Sequence, residues 1–353
     1  MKKRTQLKFK QLVVIIFIWL VVGILITVYD YLSLNTIISL GPSSKYSFFK
    51  TLGMNMGSGF IGSLIGGSVL VFFINVKFQD KPYGYTIIWV IIFFLLTIAV
   101  IILILGIISF PSISKINFNY FPFDIFRTIK NIIVWSIVVA LTQLFLQMNS
   151  KFGQGVFWNI IRGKYNTPKE ENRIFMFLDL NESTASAEKL GDEKYHELLK
   201  DFFADITNSI LDNNGEIYQY VGDEVVVAWK YEDGIINNHC IKCFFDMKSF
   251  IEKKKEKYLL RYGVVPSFKA GIHLGKVIVG EIGIIKRDIT YSGDVLNTTS
   301  RIQSMCKEFD VDIIASEDLI EKLSLKSYTA NYLGAIKLKG KEKEVLLSSL
   351  IPA

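Results

Sequence analysis

Two carboxylates stand in matching contexts, each beside an apolar run. Asp179 falls in Phe175–Thr184 (FMFLDLNEST), and Asp223 falls in Tyr218–Trp229 (YQYVGDEVVVAW). Carboxylates that converge hold divalent cations. A third stretch, Thr290–Arg301 (TYSGDVLNTTSR), carries Asn297 and Arg301 four residues apart. On a helix that spacing turns both side chains one way, and an amide with a guanidinium suits a pentavalent phosphorus. The set points to phosphoryl-transfer chemistry on a nucleotide.

The elements that must position these residues follow from local pattern. Ile174–Leu180 reads as a buried strand that ends at the first carboxylate, and Glu193–Leu211 as an amphipathic helix. Asn213-Asn-Gly215 makes a turn. Glu216–Tyr220 and Val225–Trp229 read as a hairpin with Gly222-Asp223 at its tip. A helix is expected over Ile235–Lys255, then two strands, Phe268–Leu274 and Val277–Glu281, broken at Gly275. Val295–Glu308 is helical and presents Asn297 and Arg301. Val311–Ala315 is a strand, and Asn331–Leu350 alternates like strands. Helices mixed with antiparallel hairpins give an α+β sandwich of ferredoxin-like, βαββαβ type. In that arrangement adjacent strands bring Asp179 and Asp223 together. Two metals held about 3.5–4 Å apart would serve both sides of an in-line displacement. One would lower the pKa of an attacking hydroxyl, and the other would neutralise a polyphosphate leaving group.

The rest of the chain is of another kind. Of 353 residues half are hydrophobic, and the excess lies in 1–147. Four apolar stretches, near Leu12–Val28, Gly57–Asn75, Tyr85–Ile108 and Ile129–Leu146, are each long enough for a hydrocarbon core of about 30 Å. The first follows Lys2, Lys3, Arg4, Lys8 and Lys10 and lacks an A-x-A site, so it reads as an uncleaved anchor. Positive charge at that end places the N-terminus inside, and four spans return the second half to the same side. The expectation is a multi-pass α-helical membrane domain (1–147), a juxtamembrane linker (148–172) and a cytoplasmic catalytic domain (173–353), in a cell (inner) membrane. Phe157 and Trp158 in the linker suit the headgroup level.

Several readings are excluded. Gly57-Ser-Gly-Phe-Ile-Gly62 is a literal G-x-G-x-x-G with no strand before it, so it is read as a helix–helix packing surface. No ionisable residue falls at the centre of a span, which argues against ion pumping. Cys240, Cys243 and Cys306 are too few for a disulfide framework, and His239–Cys243 lacks a second metal-binding pair. These are packed or surface thiols. The net charge of +7 comes without a basic, aromatic-laced stripe, so nucleic acid is not an expected partner.

Taken with their spacing, these residues resemble the class III nucleotidyl cyclases, the adenylate and guanylate cyclases, over Arg173–Leu350. The family's F-x-D-[IL]-x-x-x-T is matched by Phe177–Thr184, and its G-D by Gly222-Asp223. Its G-D-x-V-N-x-x-x-R is matched by Gly293–Arg301, with Leu296 for the usual Val. Ala270–Gly275 matches A-G-I-H-x-G, Gly280–Gly283 matches G-x-I-G, and Leu338-Lys-Gly-Lys341 resembles K-G-K.

The resemblance implies that Asp179, Asp223 and the Leu180 carbonyl bind two divalent cations, Mg or Mn. It gives Asn297 the ribose and Arg301 the transition-state phosphate. Thr184 and Lys339 or Lys341 would meet phosphates, with Lys339 favoured. It also implies a head-to-tail homodimer, with metals from one subunit and Asn, Arg and base-reading residues from the other. The base-reading positions are Gln219 and Thr290. Gln219 can donate to adenine N1, and the Thr290 oxygen can accept from N6. ATP is the expected substrate, with 3′,5′-cyclic AMP and pyrophosphate as products. Gln can rotate its amide, which leaves GTP or a pyrimidine nucleotide as alternatives. A different class, a catalytically silent nucleotide-binding membrane sensor, would not need all four of Asp179, Asp223, Asn297 and Arg301. Ser183 departs from the family, standing where an aromatic is common.

Overall fold

The computed structural model describes residues 3–38, 47–78, 81, 83–109, 125–152, 159, 162–285 and 287–353. Its chain divides into two compact units, one holding Thr5–Phe157 and the other Trp158–Ala353. Phe157 and Trp158 themselves lie outside the described residues.

All four apolar stretches of the first unit are helical. Helix α1 is Lys3–Ile38. Helix α2 is Phe48–Gly62 and runs on through π-helical Ser63–Gly67 and Val69–Ile74. Helices α3 (Tyr83–Ser109) and α4 (Ile125–Phe152) follow. Among the described residues three segments are long and apolar enough to cross a membrane: Lys3–Ser33, Phe48–Lys77 and Ile129–Ser150. Within α3 the qualifying apolar part, Gly84–Val100, is shorter. Small residues let backbones approach. A Cβ on Gly59 would lie 3.0 Å from the Trp19 carbonyl oxygen, and one on Gly67 would lie 3.1 Å from the Ile15 side chain. The G-x-G-x-x-G string is thus part of a helix-packing surface. Polar ties join α1 to α4: the Trp19 indole donates to Thr142 at 2.9 Å, and Lys130 pairs with Asp30 at 2.6 Å.

The second unit is built on one eight-stranded mixed sheet, in the order β2-β3-β1-β4-β6-β8-β7, with β5 on β4. The strands are β1 (Lys169–Leu180), β2 (Glu216–Val221), β3 (Glu224–Lys230), β4 (Phe268–Ile282), β5 (Asp288–Ser292), β6 (Ile313–Ser316), β7 (Tyr328–Ile336) and β8 (Val345–Pro352). The helices are α5 (Ser183–Leu190), α6 (Asp192–Asp212), α7 (Tyr231–Ile235), α8 (His239–Lys253), α9 (Lys255–Tyr262), α10 (Asp294–Glu308) and α11 (Glu317–Ile320). The first four strands run β2-β3-β1-β4, all antiparallel, which is the expected βαββαβ core.

Burial on both faces explains why β1 is continuously apolar. Ile174, Met176, Leu178 and Leu180 pack with Leu198, Phe202 and Ile206 of α6 and Phe244 of α8. Phe175 and Phe177 face the other way, toward Val295 of α10. Cys240, Cys243 and Cys306 are buried and unpaired. Burial pushes the Cys240 and Cys306 thiols up to about 12, so they are packing residues.

Strand β5 is not among the expected elements, and two other strands differ in extent. The expected pair around Gly275 is one strand, β4, paired with β1 from Lys169↔Val279 to Leu180↔Phe268. Gly275 does not break it. A Cβ there would lie 3.0 Å from the Val295 side chain, and one on Gly271 would lie 2.3 Å from the Gln303 backbone nitrogen. Both glycines are seats for α10. Strand β1 also starts before Ile174. Its polar beginning is held by Arg173, which is buried at 2% exposure and pairs with Glu171 at 2.7 Å and Glu216 at 3.2 Å. Burial disfavours that charge, and Tyr291, Glu216 and Glu171 outweigh it.

Candidate active site

Asp179 is the penultimate residue of β1 and lies opposite Glu224 of β3. Asp223 is the second residue of the two-residue loop joining β2 and β3, which closes on Val221↔Glu224. Gly222 has φ +62, a left-handed value at the first loop position that an L side chain resists. The strand end and the hairpin tip thereby bring the two carboxylates together, as the sequence implies. Burial, then the Asp223 charge and a hydrogen bond to Asp223, push Asp179 up to about 6. Against these, the Leu180 backbone amide bonds the Asp179 carboxylate.

Glu224 was not singled out by sequence. Burial, Asp179 and Asp223 push it up to about 7. Its signal was its place directly after Gly222-Asp223 in a hairpin register that sets it opposite Asp179. A second unanticipated residue is Tyr195 of α6, which hydrogen-bonds Ser183 and senses the charges of Asp223 and Asp179. Tyr195 brings an aromatic ring to Ser183, where the sequence lacks one. Both border a cavity of about 90 Å³ under the turn after Leu180. Thr184 is exposed in the first turn of α5.

The carboxylates fit divalent metal on their own chemistry. Two acidic oxygen donors adjoin, and the side chain acting on Asp179 is the like-charged Asp223. Hard carboxylate oxygens suit Mg or Mn. Among the described residues no three His, Cys, Asp or Glu side chains form a metal-holding group.

This crowding has a consequence for stability. Asp179 rises from 3.8 to about 6, and Glu224 from 4.5 to about 7. A carboxyl whose pKa is raised by folding favours the folded state when protonated, and that contribution is lost as pH climbs through the folded value. We therefore expect metal-free protein to lose stability between about pH 4 and pH 7, by about 1–2 kcal/mol per group after solvent screening. Asp179→Asn should raise the melting temperature at pH 8 and leave it nearly unchanged at pH 4. Equal shifts at both values would refute the crowding.

The phosphate- and base-directed candidates lie elsewhere on the same unit. Asn297 and Arg301 sit on α10, off the face buried through Val295, Thr298, Thr299 and Ile302. Arg301 lies against Gly340, where a Cβ would be 3.4 Å from Nη2. Lys339 is exposed beside it, while Lys341 pairs with Asp294. Thr290 lies on β5 opposite Gly280, and Gln219 lies exposed on β2. Their chain neighbours touch: the Tyr291 amide donates to the Tyr218 hydroxyl at 3.3 Å, with ring centroids 4.7 Å apart. The Thr290 hydroxyl oxygen is buried with no hydrogen-bond partner.

Residues 166–348 match the family model described as the adenylate and guanylate cyclase catalytic domain. The chain belongs to that family. The chain is 34% identical over 222 residues to adenylate cyclase 2 of Rhizobium meliloti (strain 1021), a match covering 62% of this chain and 61% of that one. It is 26% identical over 178 residues to an adenylate cyclase of Anabaena cylindrica, covering 48% of this chain and 35% of that one. The chain thus spans less than two thirds of either relative. Its fold is similar to a bacterial light-regulated adenylyl cyclase structure, with TM-score 0.55 and 21% identity, over 67% of this chain and 68% of that one.

The sheet sets the carboxylate pair apart from the Lys339 loop. The Asp223 hairpin joins β2 and β3, while the Lys339 loop joins β7 and β8. From β3 to β8 is four strand spacings, about 20 Å. Val295 sits on Gly275, which pairs with Arg173, six residues along β1 from Asp179. Asn297, two residues on, is therefore about 17 Å from Asp179 along the strand direction, and Arg301, four residues further along α10, about 11 Å.

Proposed function

We propose that the chain is a membrane-bound adenylate cyclase that converts ATP to 3′,5′-cyclic AMP and pyrophosphate at two sites shared by a head-to-tail homodimer. The observation that carries this reading is the separation just described. The carboxylate pair lies four strand spacings, about 20 Å, across the sheet from the Lys339 loop that packs on Arg301, a separation that favours drawing the two sets from different protomers. A second copy, turned end for end, sets the carboxylates of one chain against the Arg301 face of its partner.

Each residue then has a task. Asp179 and Asp223, with the Leu180 carbonyl, hold the divalent cations. Bound there, the cations would activate the ribose 3′-hydroxyl and neutralise charge on the leaving pyrophosphate. Asn297 orients the ribose. The 3′-hydroxyl gives up its proton to solvent as its oxygen attacks the α-phosphorus, a new P–O bond forms, and the bond to pyrophosphate breaks. Arg301 neutralises charge on the equatorial oxygens as they cross the transition state. Lys339 and Thr184 meet the terminal phosphates.

Thr290 and Gln219 are the residues assigned to the base. The Thr290 hydroxyl, which can donate or accept, accepts from adenine N6. The Gln219 amide donates to N1. Guanine presents the opposite pattern, and each mismatch costs about 1–3 kcal/mol. We expect kcat/KM for ATP to exceed that for GTP by roughly tenfold to several-thousandfold. Gln219→Lys should keep ATP turnover and sharpen rejection of GTP. Comparable kcat/KM for the two nucleotides would remove the adenine assignment and leave the cyclase reading standing.

The apolar segments of the first unit and its basic N-terminus support a multi-pass anchor in a cell (inner) membrane, with the N-terminus and the catalytic domain cytoplasmic.

A further inference from the structure

The two lysines of Leu338-Lys-Gly-Lys341 look equivalent in sequence, and the structure separates them. Lys339 is exposed. Lys341 keeps 18% of its side chain exposed, and its ammonium pairs with the carboxylate of Asp294, the first residue of α10. Asp294, Asn297 and Arg301 are spaced three and four apart, so all three line one helix face.

The loop meets α10 at three points. Leu338 is buried in a cluster with Ile302 and Cys306 of α10. Gly340 lies flat on the Arg301 guanidinium and has φ +71, so a side chain there would be strained as well as crowded. Lys341 closes the turn, its amide donating to the Leu338 carbonyl at 2.9 Å, and its ammonium reaches Asp294. The Asp294 carboxylate is further braced by the Thr298 hydroxyl at 3.4 Å. Its pKa is held below the ordinary value, chiefly by the hydrogen bond from Lys341.

We propose that Lys341 and Asp294 form an ion-pair clasp that fixes the 338–341 loop against Arg301. Lys341 is therefore a positioning residue rather than a phosphate ligand. Its charge is already neutralised by Asp294, whereas Lys339 projects from the fastened loop with its charge available. The clasp sets the distance between the Lys339 ammonium and the Arg301 guanidinium before nucleotide arrives. Its effect on turnover rests on the cyclase reading, and its effect on loop order does not.

The test uses the full chain, purified in detergent, as Lys341→Met, Asp294→Asn and the exchanged pair Lys341→Asp with Asp294→Lys. Two readouts are taken: hydrogen exchange of the 339–341 amides, and kcat and KM for ATP with Mn²⁺. The clasp predicts about tenfold faster exchange in each single variant. It predicts a fall in kcat of about 10- to 100-fold with little change in KM, since misplacement by an ångström costs that much. The exchanged pair should return both readouts to within about threefold of the unmodified chain. Asp294→Asn preserves shape and keeps the test open should Lys341→Met fold poorly. Unchanged exchange in both single variants would overturn the clasp. So would a raised KM in Lys341→Met with Asp294→Asn unaffected, because that is the signature of a phosphate ligand. Altered exchange in a chain that makes no cyclic nucleotide would sustain the clasp and refute the cyclase reading.

Discussion

Asp179→Ala and Asp223→Ala should each abolish cyclase turnover while leaving a folded protein. The reason lies in the donor set. Asp179 and Asp223 are the two carboxylates proposed to hold the cations, so either deletion leaves them one carboxylate and the Leu180 carbonyl. A loss of about 10³-fold or more is expected for each. The double variant should lose little more than either single one, because groups that act as a unit are not additive. The expected fold stability separates this from simple unfolding. Asp179 is crowded by Asp223, so removing either carboxylate relieves repulsion in the metal-free protein. Substantial turnover by either single variant at saturating Mn²⁺ would sink the two-metal reading.

Mixing should rescue what the single variants lose. Asp179→Ala lacks the metal half and Arg301→Ala lacks the phosphate half, so each alone builds two defective sites. A heterodimer of the two has one site with both halves intact. Random pairing gives about half heterodimers, and one working site of two then yields about a quarter of unmodified activity. Co-expression with two affinity tags isolates the heterodimer directly. No recovery in that species would place both halves in one chain, against the sheet order β2-β3-β1-β4-β6-β8-β7.

Where local chemistry decides local structure, the sequence is readable. Helix α6 buries Leu198, Phe202, Ile206 and Ile210 at the spacing that predicts it, and Gly222-Asp223 closes the hairpin that presents Asp223. The convergence of Asp179 and Asp223 follows from those elements. What eludes such reading is set by distant partners. Gly275 looks like a strand break, and its cause is Val295 on another element. The start of β1 looks like linker, because the partners of Arg173 come from Glu216 and Tyr291 as well as its neighbour Glu171. Strand β5, five residues of DITYS, is too short to show a period, yet it carries Thr290. The role of Lys341 is invisible for the same reason, since Asp294 lies 47 residues away.

The most direct test of the whole account is product identification. The purified full chain is incubated with Mn²⁺ and each of the four nucleoside triphosphates in turn, and the products are resolved by mass spectrometry. We predict 3′,5′-cyclic AMP and pyrophosphate in equal amounts from ATP, at a rate well above that with any other nucleotide, and no ADP. Absence of any cyclic nucleotide from all four substrates, in protein shown to be folded and dimeric, would contradict the account.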